Sequence, residues 1–300
     1  DVYKRQSLDV SSVAYSGLVS GDTFNGTFIG AFSDKNVGTG KTVTITPSYS
    51  GADVSNYSIT NHADVIANIT ARSLTVSGVK ASNKTYDSTV TATMDSSSAV
   101  YSGFVNGDDF AASYSGVFAN ANAGTGKTVT ITSSYSGADV SNYNITDQTS
   151  TTANISAKAL TATASASNKV YDGSSAATST LTLSGFVGSE TVTSTNSSTF
   201  NNKNAGIGKT VTVNSITLAD GTNGGLAANY SINTGQTTTA NVTAKALTVS
   251  GITASNKVYD STTNATTVLS FSGLIGSETI NNTNSSTFDN KNIGTGKTVT

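Results

Sequence analysis

The chain has 300 residues, a net charge of −2, 36% hydrophobic and 11% charged residues, and neither Cys nor Trp. That composition excludes a disulfide scaffold and a thiolate metal site, and it supplies no global field toward nucleic acid or an anionic membrane. Disorder pairs low hydrophobicity with high net charge; the low charge, 12 Tyr, 10 Phe and regular β-branched alternation argue against it.

Self-comparison organises the rest. Gly-Thr-Gly-Lys-Thr-Val-Thr begins at Gly38, Gly124 and Gly294, and Gly-Ile-Gly-Lys-Thr-Val-Thr begins at Gly206, so the successive spacings are 86, 82 and 88 residues. Ala-Ser-Asn-Lys-x-Tyr-Asp begins at Ala81, Ala166 and Ala254, and Asn-Tyr-x-Ile at Asn56, Asn142 and Asn229. A unit of about 86 residues is too long for a solenoid rung and fits a small self-contained module. The expected division is 1–71, lacking its first strand, then complete repeats 72–157 and 158–244, then 245–300, lacking its last strands. The opening Asp1 to Gln6 fits the repeat poorly and is set aside from fold reasoning.

Taken in chain order, Thr42–Thr46 alternates Thr with Val43 and Ile45, the signature of a half-buried strand. Leu74-Thr-Val-Ser-Gly opens the second repeat, followed by the Tyr86-Asp87 turn. Tyr101, Phe104, Phe110, Tyr114 and Phe118 then fall in short runs broken by Gly, Asn and Asp, which supply turn conformations. Thr128–Thr132 repeats the first alternation, and Leu247-Thr-Val-Ser reads likewise in the last repeat. About seven short strands per repeat are expected, and no window of ten residues keeps a helical period. The fold class is all-β: tandem small antiparallel modules, Ig-like sandwich or β-grasp-like. The last core residue of one unit and the first of the next are five apart, as in Ile69 to Leu74, Ile155 to Leu160 and Val242 to Leu247. An odd step turns the core to the opposite face, and the expectation is a stiff, elongated rod whose modules partner their neighbours.

The run Asn168-Lys-Val-Tyr-Asp-Gly173, the run Phe200-Asn-Asn-Lys-Asn-Ala-Gly-Ile-Gly-Lys-Thr-Val-Thr212 and the segment Ala228-Asn-Tyr-Ser-Ile232 resemble YDG-type repeat domains. The resemblance covers nearly the whole chain. It implies a large bacterial surface protein related to filamentous haemagglutinins, located outside the cell, and it brings no catalytic residues to transfer. Ser88 and Ser261 stand where the motif's Gly would be, which marks a turn rather than a site.

Five features invite chemistry. Gly-x-Gly-Lys-Thr suggests a phosphate loop, but the Gly that such a loop needs five residues before its last Gly is Lys35, Ala121, Lys203 or Lys291, and the segment opens a strand rather than a helix. Gly40, Gly126, Gly208 and Gly296 are therefore read as structural. Tyr86-Asp87, Tyr171-Asp172 and Tyr259-Asp260 could form a binding pair; the favoured reading is a core Tyr followed by an Asp that bonds the turn's backbone. Asp22, Asp108 and Asp109 are acidic loop residues of the kind that can hold Ca²⁺, yet the later repeats have Ser189-Glu190 and Ser277-Glu278 and no Asp-x-Asp-x-Asp-Gly spacing. His62 is the only histidine, so a triad or transition-metal site is not expected. Asn68-Ile69-Thr70 is a glycosylation sequon of a sort expected by composition alone.

What recurs in every copy is what every copy needs to fold, and no copy-specific departure gathers acids, bases or nucleophiles. No enzyme activity, cofactor, nucleic-acid partner or membrane insertion is expected. The preferred function is a spacer that holds a distal binding domain away from the cell; the alternative is that the repeats themselves bind host glycan or protein, or self-associate.

Overall fold

The structure, a computed structural model, describes residues 8–300; the segment Asp1 to Gln6 lies outside the described residues. The protein is all-β, with three three-residue 3-10 turns among the described residues, at Val54–Asn56, Val140–Asn142 and Ala227–Asn229. The chain forms two compact units, 1–156 and 157–300, each containing two repeats.

The second repeat shows the design most fully. Alternating residues fold Ala111–Phe118 against Gly124–Ser136 as an antiparallel hairpin, with Phe118 opposite Val129 and Ala111 opposite Ser136. Phe118, Val129 and Ile131 are buried while the intervening Thr residues are exposed, as a two-residue period requires. The hairpin lies within a five-stranded sheet ordered Lys84–Thr85, Ser150–Ser156, Gly124–Ser136, Ala111–Phe118, Thr91–Ala92. A second sheet is ordered Tyr143–Thr146, Arg72–Ser77, Val100–Ser102. Val76 and Val79 pack against Ile131, with Met94, Tyr101, Tyr114, Tyr135 and Ile145 around them. The core therefore lies between residues of the two sheets.

Two features depart from the sequence expectation. The modules are not purely antiparallel: Tyr143–Thr146 runs parallel to Arg72–Ser77, and Ser150–Ser156 runs parallel to Lys84–Thr85. Parallel strands need a long crossover, and here the body of the repeat supplies it, so the opening and closing segments pair directly. The strands also number ten in the second repeat rather than about seven, several of them only two residues long, and the main arm is long, 13 residues. Ser and Gly within that arm do not end it: Ser134 and Ser136 face outward, Ser133 lies on the half-buried face, and Gly124 and Gly126 fall at a bulge.

The third repeat has the same five-strand order, Lys169–Val170, Thr237–Thr243, Gly206–Asp220, Val192–Phe200, Ala176–Ala177, over a core of Phe200, Val211, Ala240 and Val242. The first repeat contributes Asn25–Phe32, Gly38–Ser50 and Val65–Ile69 as one sheet. In the last repeat Thr248–Ala254 pairs with Thr267–Ser272, and a register shift at Val249 interrupts the alternation expected there. Val249 is 51% exposed, whereas its counterpart Val76 is 3% exposed.

Candidate functional site

The Asn-Lys-x-Tyr-Asp segment is a lysine-filled turn. Lys84 Nζ donates to Asp87 Oδ1 at 2.7 Å, Thr89 O at 2.8 Å and Thr89 Oγ1 at 2.8 Å, while Thr89 N–H donates to Asp87 Oδ1 at 2.9 Å. Lys169 repeats this with Asp172, Ser174 and Ala176, and Lys257 with Asp260 and Thr262. Each ammonium also sits over an aromatic face, Phe118, Phe200 or Phe288, at 5.6, 5.5 and 5.7 Å. The residue after the Asp takes a left-handed conformation, φ 61° at Ser88, 79° at Gly173 and 69° at Ser261. Lys169 and Lys257, aided by the turn N–H donors, hold the Asp172 and Asp260 carboxyls down at about 2. At Asp87 burial works the other way, but the Lys84 and Thr89 donors outweigh it and the carboxyl is again lowered. The tyrosines behave differently: Tyr86 is buried, its N–H donating to Ser156 O at 2.8 Å, and Tyr171 N–H donates to Thr243 O at 2.8 Å.

Gly-x-Gly-Lys is a bulge in the long arm. The register slips between Gly38 and Lys41, Gly124 and Lys127, and Gly206 and Lys209. Gly40, Gly126, Gly208 and Gly296 have φ between 60° and 67°, which an L side chain adopts only at a cost. The N–H groups of Gly40, Gly126 and Gly208 donate to the side-chain oxygens of Asn68, Asn154 and Asn241 at 2.8, 2.7 and 2.8 Å. Asn154 and Asn241 in turn donate their own N–H to Asn83 and Asn168 side chains, both at 2.7 Å. In each of these copies one of the N–H groups that a phosphate would need is thus engaged by asparagine. The following lysine turns back into the hairpin loop: Lys127 Nζ reaches Asn120 Oδ1 at 2.6 Å, and Lys297 reaches Asn290 O at 2.7 Å and Asn292 O at 2.8 Å.

The Ca²⁺ candidates also face protein donors. Tyr57 donates its hydroxyl to Asp22 Oδ2 at 2.5 Å, Tyr143 to Asp108 Oδ2 at 2.6 Å, and Tyr230 to Glu190 Oε2 at 2.7 Å. Each of these phenols accepts a backbone N–H, from Val19, Val105 and Val187. The Asp22 carboxylate pushes the Tyr57 phenol up. Asp109 accepts Ala138 N–H at 2.8 Å. Among the described residues no group of three or more His, Asp or Glu is placed to hold a metal ion. His62 lies exposed, its Nδ1 2.6 Å from Ala63 O.

A concavity of about 860 Å3 lies in the first repeat and is walled by residues that include Phe24, Phe28, Ile45, Tyr49 and Tyr57. In the second repeat the equivalent wall includes Tyr114, Ile131 and Tyr135, and Val76 and Val79 pack against it.

The structure thus brings together residues that the motif reading named separately. Tyr86-Asp87 and Gly126 are linked through Asn83 and Asn154, which sequence reasoning passed over although both lie inside the recurring words Ala-Ser-Asn-Lys and Ala-Asn-Ile. It also missed the Tyr57, Tyr143 and Tyr230 locks, whose signal was the recurrence of Asn-Tyr-x-Ile.

No curated protein and no solved structure matches the chain. The model of the YDG domain matches residues 4–64, 70–152, 156–240 and 243–300. With nearly its whole length matched in four successive segments, and with the Tyr-Asp turn built alike wherever it occurs, the chain belongs to the YDG domain family.

Proposed function

We propose that these YDG domains are non-catalytic spacer modules of a large secreted bacterial surface adhesin of the filamentous-haemagglutinin type, projecting a distal binding domain from the cell. The observation that carries this reading is the fate of the recurring polar residues. Lys84 Nζ, Asp87 Oδ1, the Asn83 and Asn154 side-chain oxygens and the Asn154 and Gly126 N–H groups are engaged by one another, by Thr89 or by the backbone. A module whose repeated polar chemistry is internally satisfied presents little that is repeated for a ligand. Burial of Tyr86, Tyr143 and Tyr230 at 4%, 8% and 5% exposure adds support, since exposed tyrosines would favour recognition.

The test is a glycan array together with a host-cell adhesion assay on the purified chain. The spacer reading expects no saturable binding in either. Saturable binding that is lost on substituting exposed residues of the repeats would replace it with the binding-module reading.

A further inference from the structure

Two carboxylates close together and withdrawn from water repel one another unless a cation joins them. The Asp108 and Asp139 side chains of the second repeat are 7% and 8% exposed, and the cation on them comes from the first repeat. Lys35 Nζ lies 3.0 Å from Asp108 Oδ1 and 2.8 Å from Asp139 Oδ1. Neighbouring groups follow the same path: Val37 N–H donates to Asn142 Oδ1 at 2.9 Å, and Asn142 Nδ2 donates to Asn36 Oδ1 at 3.2 Å. Asp139 and then Asp108 hold the Lys35 ammonium well above the usual lysine range, and Lys35 holds the Asp139 carboxyl below its own.

The second unit contains the same pair in other residues. Lys203 Nζ of the third repeat lies 3.3 Å from Glu278 Oε1 of the fourth, and that oxygen also accepts the Tyr171 hydroxyl. The correspondence is positional. Lys35 and Lys203 each stand five residues before the bulge glycine, Gly40 or Gly208, and Asp108 and Glu278 each stand four residues after the apolar residue that opens their loop, Phe104 or Leu274. Two compact units of the chain thus show one contact at one alignment of positions.

We propose that the hairpin lysine is a clasp by which a YDG repeat grips the acidic loop of the repeat that follows it. The residue at this position then sets the coupling between neighbours, step by step, instead of leaving it a fixed property of the module. The sequence varies there: Lys35, Lys203 and Lys291 in three repeats, Ala121 in the second. This clasp holds whether the repeats serve as spacers or as binders, so its failure would leave the functional reading untouched.

The test uses the whole chain, whose lack of cysteine permits clean labelling. Spin labels at Thr27→Cys and Ser113→Cys, both exposed strand positions, report the distance between the first and second repeats by pulsed dipolar spectroscopy. The clasp predicts one narrow distribution in low salt, broadening in Lys35→Met and retained in Lys35→Arg. High salt should broaden the parent and leave Lys35→Met unchanged, because the attraction between repeats that screening weakens is absent from the variant. Labels at Thr195→Cys and Ser270→Cys with Lys203→Met should show the same loss. The proposal is overturned if Lys35→Met, folded by circular dichroism, keeps the narrow distribution, or if Lys35→Arg broadens it as much as Lys35→Met does.

Discussion

The second and fourth repeats carry nearly the same words, Lys84-Thr-Tyr-Asp-Ser-Thr89 and Lys257-Val-Tyr-Asp-Ser-Thr262, yet they use them differently. The ionic turn is the same in both: Lys Nζ to Asp Oδ1 at 2.7 and 2.8 Å, and Thr N–H to the same carboxylate at 2.9 and 3.0 Å. The tyrosine is not, since Tyr86 is 4% exposed and Tyr259 52%. Beneath Tyr86 runs Ser150–Ser156, paired in parallel with Lys84–Thr85; no such strand pairs with the fourth repeat's turn among the described residues. The motif therefore has a local half, Lys-Asp-Thr, that closes on itself within six residues, and a long-range half, Asn and Tyr, that needs the closing strand.

Substitutions should separate the halves. The largest effect is expected from Tyr86→Ala, which empties a buried aromatic site and should destabilise the second repeat by about 3–5 kcal/mol, while Tyr259→Ala should stay within about 0.5 kcal/mol. Urea unfolding followed by repeat-specific amide signals would read both; equal costs would erase the distinction. Next comes Asn154→Ala, which removes the acceptor of the exposed Gly126 N–H and should cost about 0.5–1.5 kcal/mol in the same experiment. Ser88→Gly should stabilise by about 1 kcal/mol, because the left-handed backbone there is one that glycine adopts without penalty. Loss of stability on that change would mean that the Ser88 side chain makes a contribution of its own.

The smallest effect sharpens the local half. Folded-state values of about 2 lie below the ordinary carboxyl value, so the contribution of Asp172 and Asp260 is complete above about pH 4 and is lost as pH falls through about 2. Carboxyl titration by nuclear magnetic resonance should find both depressed alike, although one belongs to a closed repeat and the other does not. An ordinary value at Asp260 alone would make the turn dependent on the closing strand.

How much of this was legible beforehand follows the same division. The repeat, the all-β class and the turn at Tyr-Asp could be read because they are local: a two-residue alternation, a breaker and an Asp placed to bond the next N–H. The parallel pairing could not, since Lys84–Thr85 and Ser156 are some 70 residues apart and nothing in either segment encodes direction. The same distance hid Asn83 and Asn154. An asparagine that satisfies a bulge across the sheet looks, in an Asn-rich sequence, like any other. The two-residue strands fall below any periodicity, and the glycines of the long arm read as breaks until the bulge is seen to keep Val129 and Ile131 in phase.

The central claim is that the recurring polar residues form the frame of the fold and do not constitute a site. Amide hydrogen exchange at the four bulge glycines tests it directly. Gly40, Gly126 and Gly208 donate to asparagine side chains, and Gly296 has no such acceptor among the described residues. The account predicts slow exchange at the first three, fast exchange at Gly296, and loss of protection at Gly126 in Asn154→Ala. Uniformly fast exchange at all four glycines would contradict it.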